Sequence, residues 1–322
     1  GLEGTYVSPQ DPEQLTAFAY RRYGVLPLSE LYCCFVNADL HPAIHLFARA
    51  FITGVLAKVS AALDNDERLN SRVPPPYSER VIAELVAEQH VKNVRSRGKT
   101  PDQAGHSANV EGAKEYIGAI FDGCWLQGFA DVRRAELEEY GWLFRIYASE
   151  HGDGNMEWNH CRIFRKEFAV LGPEIMLPKS DPRLYELFDV GVGSVAKLAI
   201  ALNTRYFLPE ILGMNLGIEA SGVGGEYLER WKRAQGKGLR WEALAARLHN
   251  SIDNYADGHT KWSLAAVQSF MRRIKDAAPS EIASNWHRLW RLWRLQDILT
   301  HGTDVEQDAL AEHLNLRSLA PT

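Results

Sequence analysis

Glutamates, aspartates and histidines fall in three short segments of this chain at spacings that suit a metal ion. In ASEHGDGNMEWNHCRIFRKEF, Glu157 and His160 form an ExxH pair. On a regular helix these two side chains lie about 60° apart on one face, the i, i+3 pairing that carboxylate-bridged di-iron bundles use. Glu150 precedes the pair across a Gly-Asp-Gly turn and can reach the same point from the end of the preceding helix. Both glutamates therefore stay candidates. In LPEILGMNLGIEASG, Glu219 sits among Leu212, Met214, Leu216, Ile218 and Ala220. An ionised Glu on a buried face is costly unless it is paired or metal-bound; the alternative is a solvent-facing stripe shared with Glu210 and Asn215. In RLHNSIDNYADGHTKWSLAAV, His249 and Asp253 are i, i+4 and share a face. His259 follows about 120° further round and converges on them only if the helix is distorted, which Gly258 would permit. Asp257 shares the Asp253 stripe and is a secondary candidate.

Each signal has an ordinary reading: a surface ExxH, a helical salt bridge, a hydrogen-bonded core Glu. Their coincidence in one chain points to a mixed imidazole and carboxylate ligand set. Such a set favours iron or manganese over structural zinc, which prefers thiolates. Cys33, Cys34, Cys124 and Cys161 form no CxxC pair and are expected as reduced, partly buried thiols.

Other motifs are decoys. Gly191 to Ala196 spells GxGxxA, but a dinucleotide fingerprint needs a strand before it, and RLYELFDV reads as helix. SGVGGE lacks the Lys-Ser/Thr ending of a phosphate loop and reads as a turn after a helix. Trp286, Trp290 and Trp293 fall on one helical stripe, expected in the core or at a subunit contact, with Arg288, Arg291 and Arg294 off it in solvent.

The elements that must position these residues read as helices throughout. Helical periodicity runs through residues 26–63, 77–94, 111–150 (with a break near Gly128), 156–171, 182–203, 209–220, 228–235, 241–275 and 280–299. Residues 65–76 read as a loop and residues 95–109 as a linker or lid. Alternating β-branched runs are nearly absent, so the fold class is all-α, a packed helical bundle. We divide it into auxiliary helices and linker over residues 1–110, packed on a core over residues 111–322. Lys+Arg number 36 against Asp+Glu 41, a net charge of −5, which argues against a nucleic-acid binder. No uninterrupted apolar run approaches a membrane span, and the opening GLEGTYVSPQ lacks a signal-peptide layout, so a cytoplasmic protein is expected.

Four passages carry a family resemblance: FDGCWLQG (121–128), SEHGDGNMEWNH (149–160), PEILGMNLGIEASG (209–222) and HNSIDNYADGHTKW (249–262). In order and separation they resemble the haem-oxygenase-like non-haem di-iron oxidases and oxygenases, over residues 111–270. The resemblance implies a haem-oxygenase-like bundle that binds two Fe(II) per chain and no haem, with O2 as co-substrate. Its ligands would be Glu150 or Glu157 with His160, then Glu219, then His249, Asp253 and His259. It implies oxidation of a small amine, amino acid or carboxylic acid, by N-oxygenation or by oxidative C–C cleavage, in specialised-metabolite biosynthesis. Electrons would come from the substrate or an external donor, since the chain carries no redox-cofactor motif. Arg145, Arg162 and Arg165 are candidates to hold a substrate carboxylate, against ordinary solvated or paired roles. Tyr206 and Trp158 are candidate pocket walls, against ordinary core roles. A homodimer is the association that the Trp stripe would serve. The competing readings are a metal-free helical binding module that has kept the fold, and haem oxygenase activity proper, which the multiple acids fit poorly.

Overall fold

The computed structural model describes residues 12–69, 74–95, 110–221, 226–253 and 256–314. The expected linker and the SGVGGE turn fall mainly on residues 96–109 and 222–225, outside that description. Among the described residues there is no strand, and the fold is all-α. Four helices come first: α1 (Pro12–Tyr23), α2 (Leu28–Val36), α3 (Ile44–Asn65) and α4 (Glu79–Arg95). Then follow α5 (Val110–Lys114), α6 (Glu138–Glu150), α7 (His160–Glu167) and α8 (Val192–Ala201). The remainder are α9 (Leu208–Ser221), α10 (Glu226–Gly236), α11 (Arg240–Ile252), α12 (His259–Ala277), α13 (Ile282–His301) and α14 (Asp304–Leu314).

Three of the long expected helices are broken. Residues 111–150 contain only α5 and α6, with single 3-10 turns at Ile117–Phe121, Cys124–Phe129 and Val132–Arg134 between them. Residues 182–203 begin as a 3-10 turn, Pro182–Leu187, and become helical only at Val192. Gly191 thus opens a helix with no strand before it, as a dinucleotide fingerprint would require. Residues 241–275 divide into α11 and α12, and this third break positions the candidate ligands.

One hydrophobic cluster runs from Ala19 in α1 to Leu310 in α14, so the N-terminal helices share the core of the rest. At its centre α9 is buried on nearly every face, with Ile211, Leu212, Asn215 and Leu216 almost fully covered. Its close approach to α13 depends on small residues. A Cβ on Gly213 would stand 2.0 Å from the carbonyl oxygen of Leu289, and one on Gly217 would stand 2.6 Å from Cβ of Gln296. The Trp stripe faces this core: Trp286 and Trp293 are buried, and Trp286 Nε1 donates to the Pro75 carbonyl at 2.8 Å. The three arginines beside it are not simply solvated. Arg288 makes a two-pronged pair with Glu210 (2.6 and 2.7 Å), Arg291 pairs with Asp64 and Arg294 with Asp297 and Glu306. A guanidinium on a half-covered helix face gains more from such a fork than from water alone.

Among the described residues α3 is the one helix long and apolar enough to cross a membrane by length and composition, a candidate that unbroken-run reasoning passes over. Its Ile44, Phe47, Ala48, Ile52, Val55, Val59, Ala62 and Leu63 are buried in the shared core.

Candidate metal centre

Helix ends, rather than helix faces, bring the site together. α6 ends at Glu150, and Gly152, Asp153 and Gly154 follow with φ of 74°, 50° and 85°. That left-handed run is open to glycine and tolerated by Asp, and it turns the chain sharply. Asn159 then caps α7, its side chain accepting from the Arg162 amide at 2.9 Å, so His160 becomes the first helical residue. Glu157 stands before the cap, which is why the ExxH spacing does not act as a helical pair. It is exposed, and its amide donates to Asn155. On the other side, α11 ends at Ile252 with Asp253 as its C-cap, and α12 opens at His259 after an extended Gly258. The distortion that His259 needs is therefore a complete break. Thr260 Oγ1 donates to the Glu219 carbonyl at 2.8 Å and ties the end of α9 to the start of α12.

A further ligand-type residue joins them. Asp122 lies between two 3-10 turns, beside Gly123, whose φ is 74° and whose Cβ would stand 3.0 Å from Cβ of Glu150. Without a side chain at 123, this loop closes onto α6 and carries Asp122 to the site. Sequence reasoning passed over Asp122, although a lone carboxylate in the apolar run IGAIFDGCWLQGF carries the same signal as Glu219.

The side chains form two groups joined by one glutamate. Asp122, His160 and His249 make the first; Glu150, Glu219 and His259 make the second. Asp253 adds to the second, its Oδ1 lying 3.2 Å from His259 Nδ1. Glu150 spans both: Oε2 is 2.5 Å from His160 Nδ1 and Oε1 is 3.1 Å from His259 Nδ1. In the first group His160 Nδ1 and His249 Nε2 stand 3.2 and 3.5 Å from Asp122 Oδ2. His249 Nδ1 donates to the Ala245 carbonyl at 2.9 Å, which leaves Nε2 as the ring nitrogen that faces Asp122. Tyr227 stacks on the same ring at 4.8 Å.

These separations fit a cation. Donors about 2.1 Å from an octahedral ion are about 3.0 Å apart along each edge, and His259 Nδ1 has three carboxylate oxygens at 3.1 to 3.2 Å. Glu219 Oε1 and His259 Nε2 are buried with no hydrogen-bond partner among the described residues. Buried polar atoms are rarely left so, and an orphan in a native structure asks for a ligand.

Protons share this cluster of charge. Burial opposes the charged form of His160, but Glu150 and Asp122 outweigh it and raise its pKa well above the usual imidazole value. Burial likewise opposes charge on His259, and Glu219, Asp253 and Glu150 raise it. His249 is raised against burial chiefly by its hydrogen bond with Asp122. Burial would lift Glu150, yet His160 and His259 hold it well below the usual carboxylate range. Glu219 is pushed up to about 8, first by burial and further by Asp253 and Glu150, with His259 opposing.

The remaining candidates lie elsewhere. Asp257 is exposed beside Lys261 and Trp262. Arg145 lies over the Trp262 ring at 3.7 Å, Arg162 donates to the Met156 carbonyl, and Arg165 donates to the carbonyls of Ile175 and Leu177. Tyr206 and Trp158, given ordinary core roles as the alternative, are exposed at 53% and 57%. Their neighbours explain this: Tyr206 closes the turn before α9 beside exposed Arg205, and Trp158 precedes the α7 cap. All four cysteines are free thiols, and burial pushes Cys124 up to about 12. A cleft of about 1440 Å³ touches Tyr140 and Glu210 near the opposite ends of α6 and α9 and none of the ligands. Compared with family models, curated proteins and solved structures, the chain matches none of them.

Proposed function

We propose that this chain is a non-haem di-iron oxidoreductase of haem-oxygenase-like architecture. In this reading it uses O2 to oxidise a small amine, amino acid or carboxylic acid, with N-oxygenation the leading outcome and oxidative C–C cleavage the alternative. The observation that carries it is the buried pair of ligand groups spanned by Glu150. Asp122, Glu150, Glu219 and Asp253 bring four carboxylates together with three histidines, all of them buried except Asp122, which is partly covered. Two divalent cations would take the place of the protons that the raised histidines and Glu219 otherwise share among these carboxylates. Carboxylates and imidazoles without thiolate favour iron or manganese.

Bound Fe(II) would supply the electrons and open coordination positions that O2 reduction needs. The chain itself does the positioning. His249 is fixed in its Nε2-presenting form by Ala245 and held flat by Tyr227. Glu150 can bridge because each of its oxygens faces a different group. Glu219, raised toward neutrality without metal, would give up its proton as a cation binds. Phe164, 5.6 Å from the His249 ring, and Trp262, 5.5 Å from His259, keep water from the flanks. The test is anaerobic titration of metal-free protein with Fe(II), followed by O2 with visible spectra recorded. The expected result is uptake approaching two irons per chain, oxidation of that iron by O2, and no Soret band. Failure to bind iron or manganese would overturn the reading and favour the metal-free module.

A further inference from the structure

A second pocket lies on the outer side of the two helices that carry His160 and His249. It occupies about 620 Å³ between the segment before α7, α7 itself, α10 and α11. Three indoles line it: Trp158, Trp231 and Trp241. Trp158 is 57% exposed and Met156 beside it 55%, so this wall presents large apolar surface to solvent. Around the indoles stand Arg162, Lys166, Arg240 and Arg247, with Glu157 the one acid in the lining. In a chain of net charge −5 that is a local excess of three positive charges.

Among the described residues those cations make no ion pair. Lys166 and Arg240 lie over the Trp241 ring at 4.0 and 4.9 Å, and Arg162 donates to the Met156 carbonyl. Arg247 is exposed and makes no ion pair among the described residues. Guanidinium groups free to bind present a planar fork that matches a carboxylate. Indole faces favour a flat ring, both by burial and by stacking. The volume suits one small molecule.

We infer that this pocket is a binding site for an aromatic carboxylate, separate from the metal centre. The ring lies against the indoles and the carboxylate meets Arg247 and its basic neighbours. None of the lining residues is a candidate ligand that reaches the metal centre, so this site stands whether or not the proposed chemistry does. Occupancy would press on α7 and α11 from outside, the helices whose inner faces hold His160 and His249.

Calorimetric titration of the full chain with 2-naphthoate, paired with its neutral analogue 2-naphthamide, tests this. The expected result is saturable binding of one naphthoate per chain, with the amide at least about tenfold weaker. Arg247→Glu, an exposed substitution that folding tolerates, should weaken naphthoate by at least about tenfold, and Trp241→Leu should weaken both compounds. Equal affinity for acid and amide, or an Arg247→Glu protein that binds naphthoate as the parent does, would overturn the inference. Iron uptake measured on the Arg247→Glu protein separates the two ideas: it should match the parent if the pocket and the metal centre are distinct.

Discussion

At the scale of single residues, the two glutamates of the ExxH segment should behave in opposite ways. Glu150 has an oxygen in each ligand group, so Glu150→Ala should abolish uptake of both irons, while exposed Glu157→Ala should leave the stoichiometry unchanged. Asp122→Ala should remove only the ion of its own group and lower uptake from two irons toward one, read by iron analysis after anaerobic loading. Losing one carboxylate ligand should weaken that ion by at least about tenfold. If Asp122→Ala still holds two irons tightly, Asp122 is an outer partner of His160 and His249. The residue types were legible in advance at Glu219, where a lone acid stands in an apolar run. At position 157 the spacing was legible and the geometry was not, because Asn159 starts the helix two residues later. Asp122 was hidden for a related reason: a helix drawn through residues 111–150 gave its carboxylate no reason to turn inward.

At the scale of elements, periodicity locates helices well and their ends poorly, and here the ends carry the ligands. Gly258 hinted at the break before His259, but the full separation of α11 from α12 reflects tertiary ties such as Thr260 to the Glu219 carbonyl, which local sequence does not encode. The α9–α13 contact was likewise invisible, since a glycine inside a helix pattern reads only as a weak point. It supports a paired test. Gly213→Ala places a Cβ against the Leu289 backbone, which cannot swing aside, and should destabilise the fold by about 3 kcal/mol or more. Gly141→Ala, in α6 with nothing within 4 Å of the added carbon, should instead stabilise by about 0.5–1 kcal/mol. Urea unfolding midpoints read both. Equal effects would mean that α9 and α13 are not held at this distance, and Glu219 would then lose its rigid support.

At the scale of the whole molecule, the question is how a fold of modest net charge keeps so many charges inside. Beside the metal centre a second buried group ties three helices: Arg230 of α10 binds Glu167 of α7 and reaches Glu242 of α11 at 3.5 Å. Arg230 faces both carboxylates there. Burial lifts Glu167 to about 7, with Arg230 opposing and Glu242 adding to the rise. Arg230→Leu would remove the guanidinium bound to buried Glu167 and should cost about 3–5 kcal/mol. The pH dependence follows from the sign of the shift. A carboxyl whose folded pKa lies above its unfolded value binds more protons when folded, so its contribution is fully present below about 4.5 and is lost as pH rises through about 7. Over that window the loss is about 3 kcal/mol at most. Glu167→Gln keeps an acceptor for Arg230 and removes the titration. The variant should be the more stable protein at pH 7.5 and lose that advantage toward pH 5, as measured by urea unfolding at a series of pH values. A constant difference across the series would mean that Glu167 stays ionised throughout and that Arg230 compensates both acids. The metal centre predicts a separate effect on the same scale: chelation removes the cations that the carboxylate cluster would hold, and should lower the melting temperature of the loaded protein.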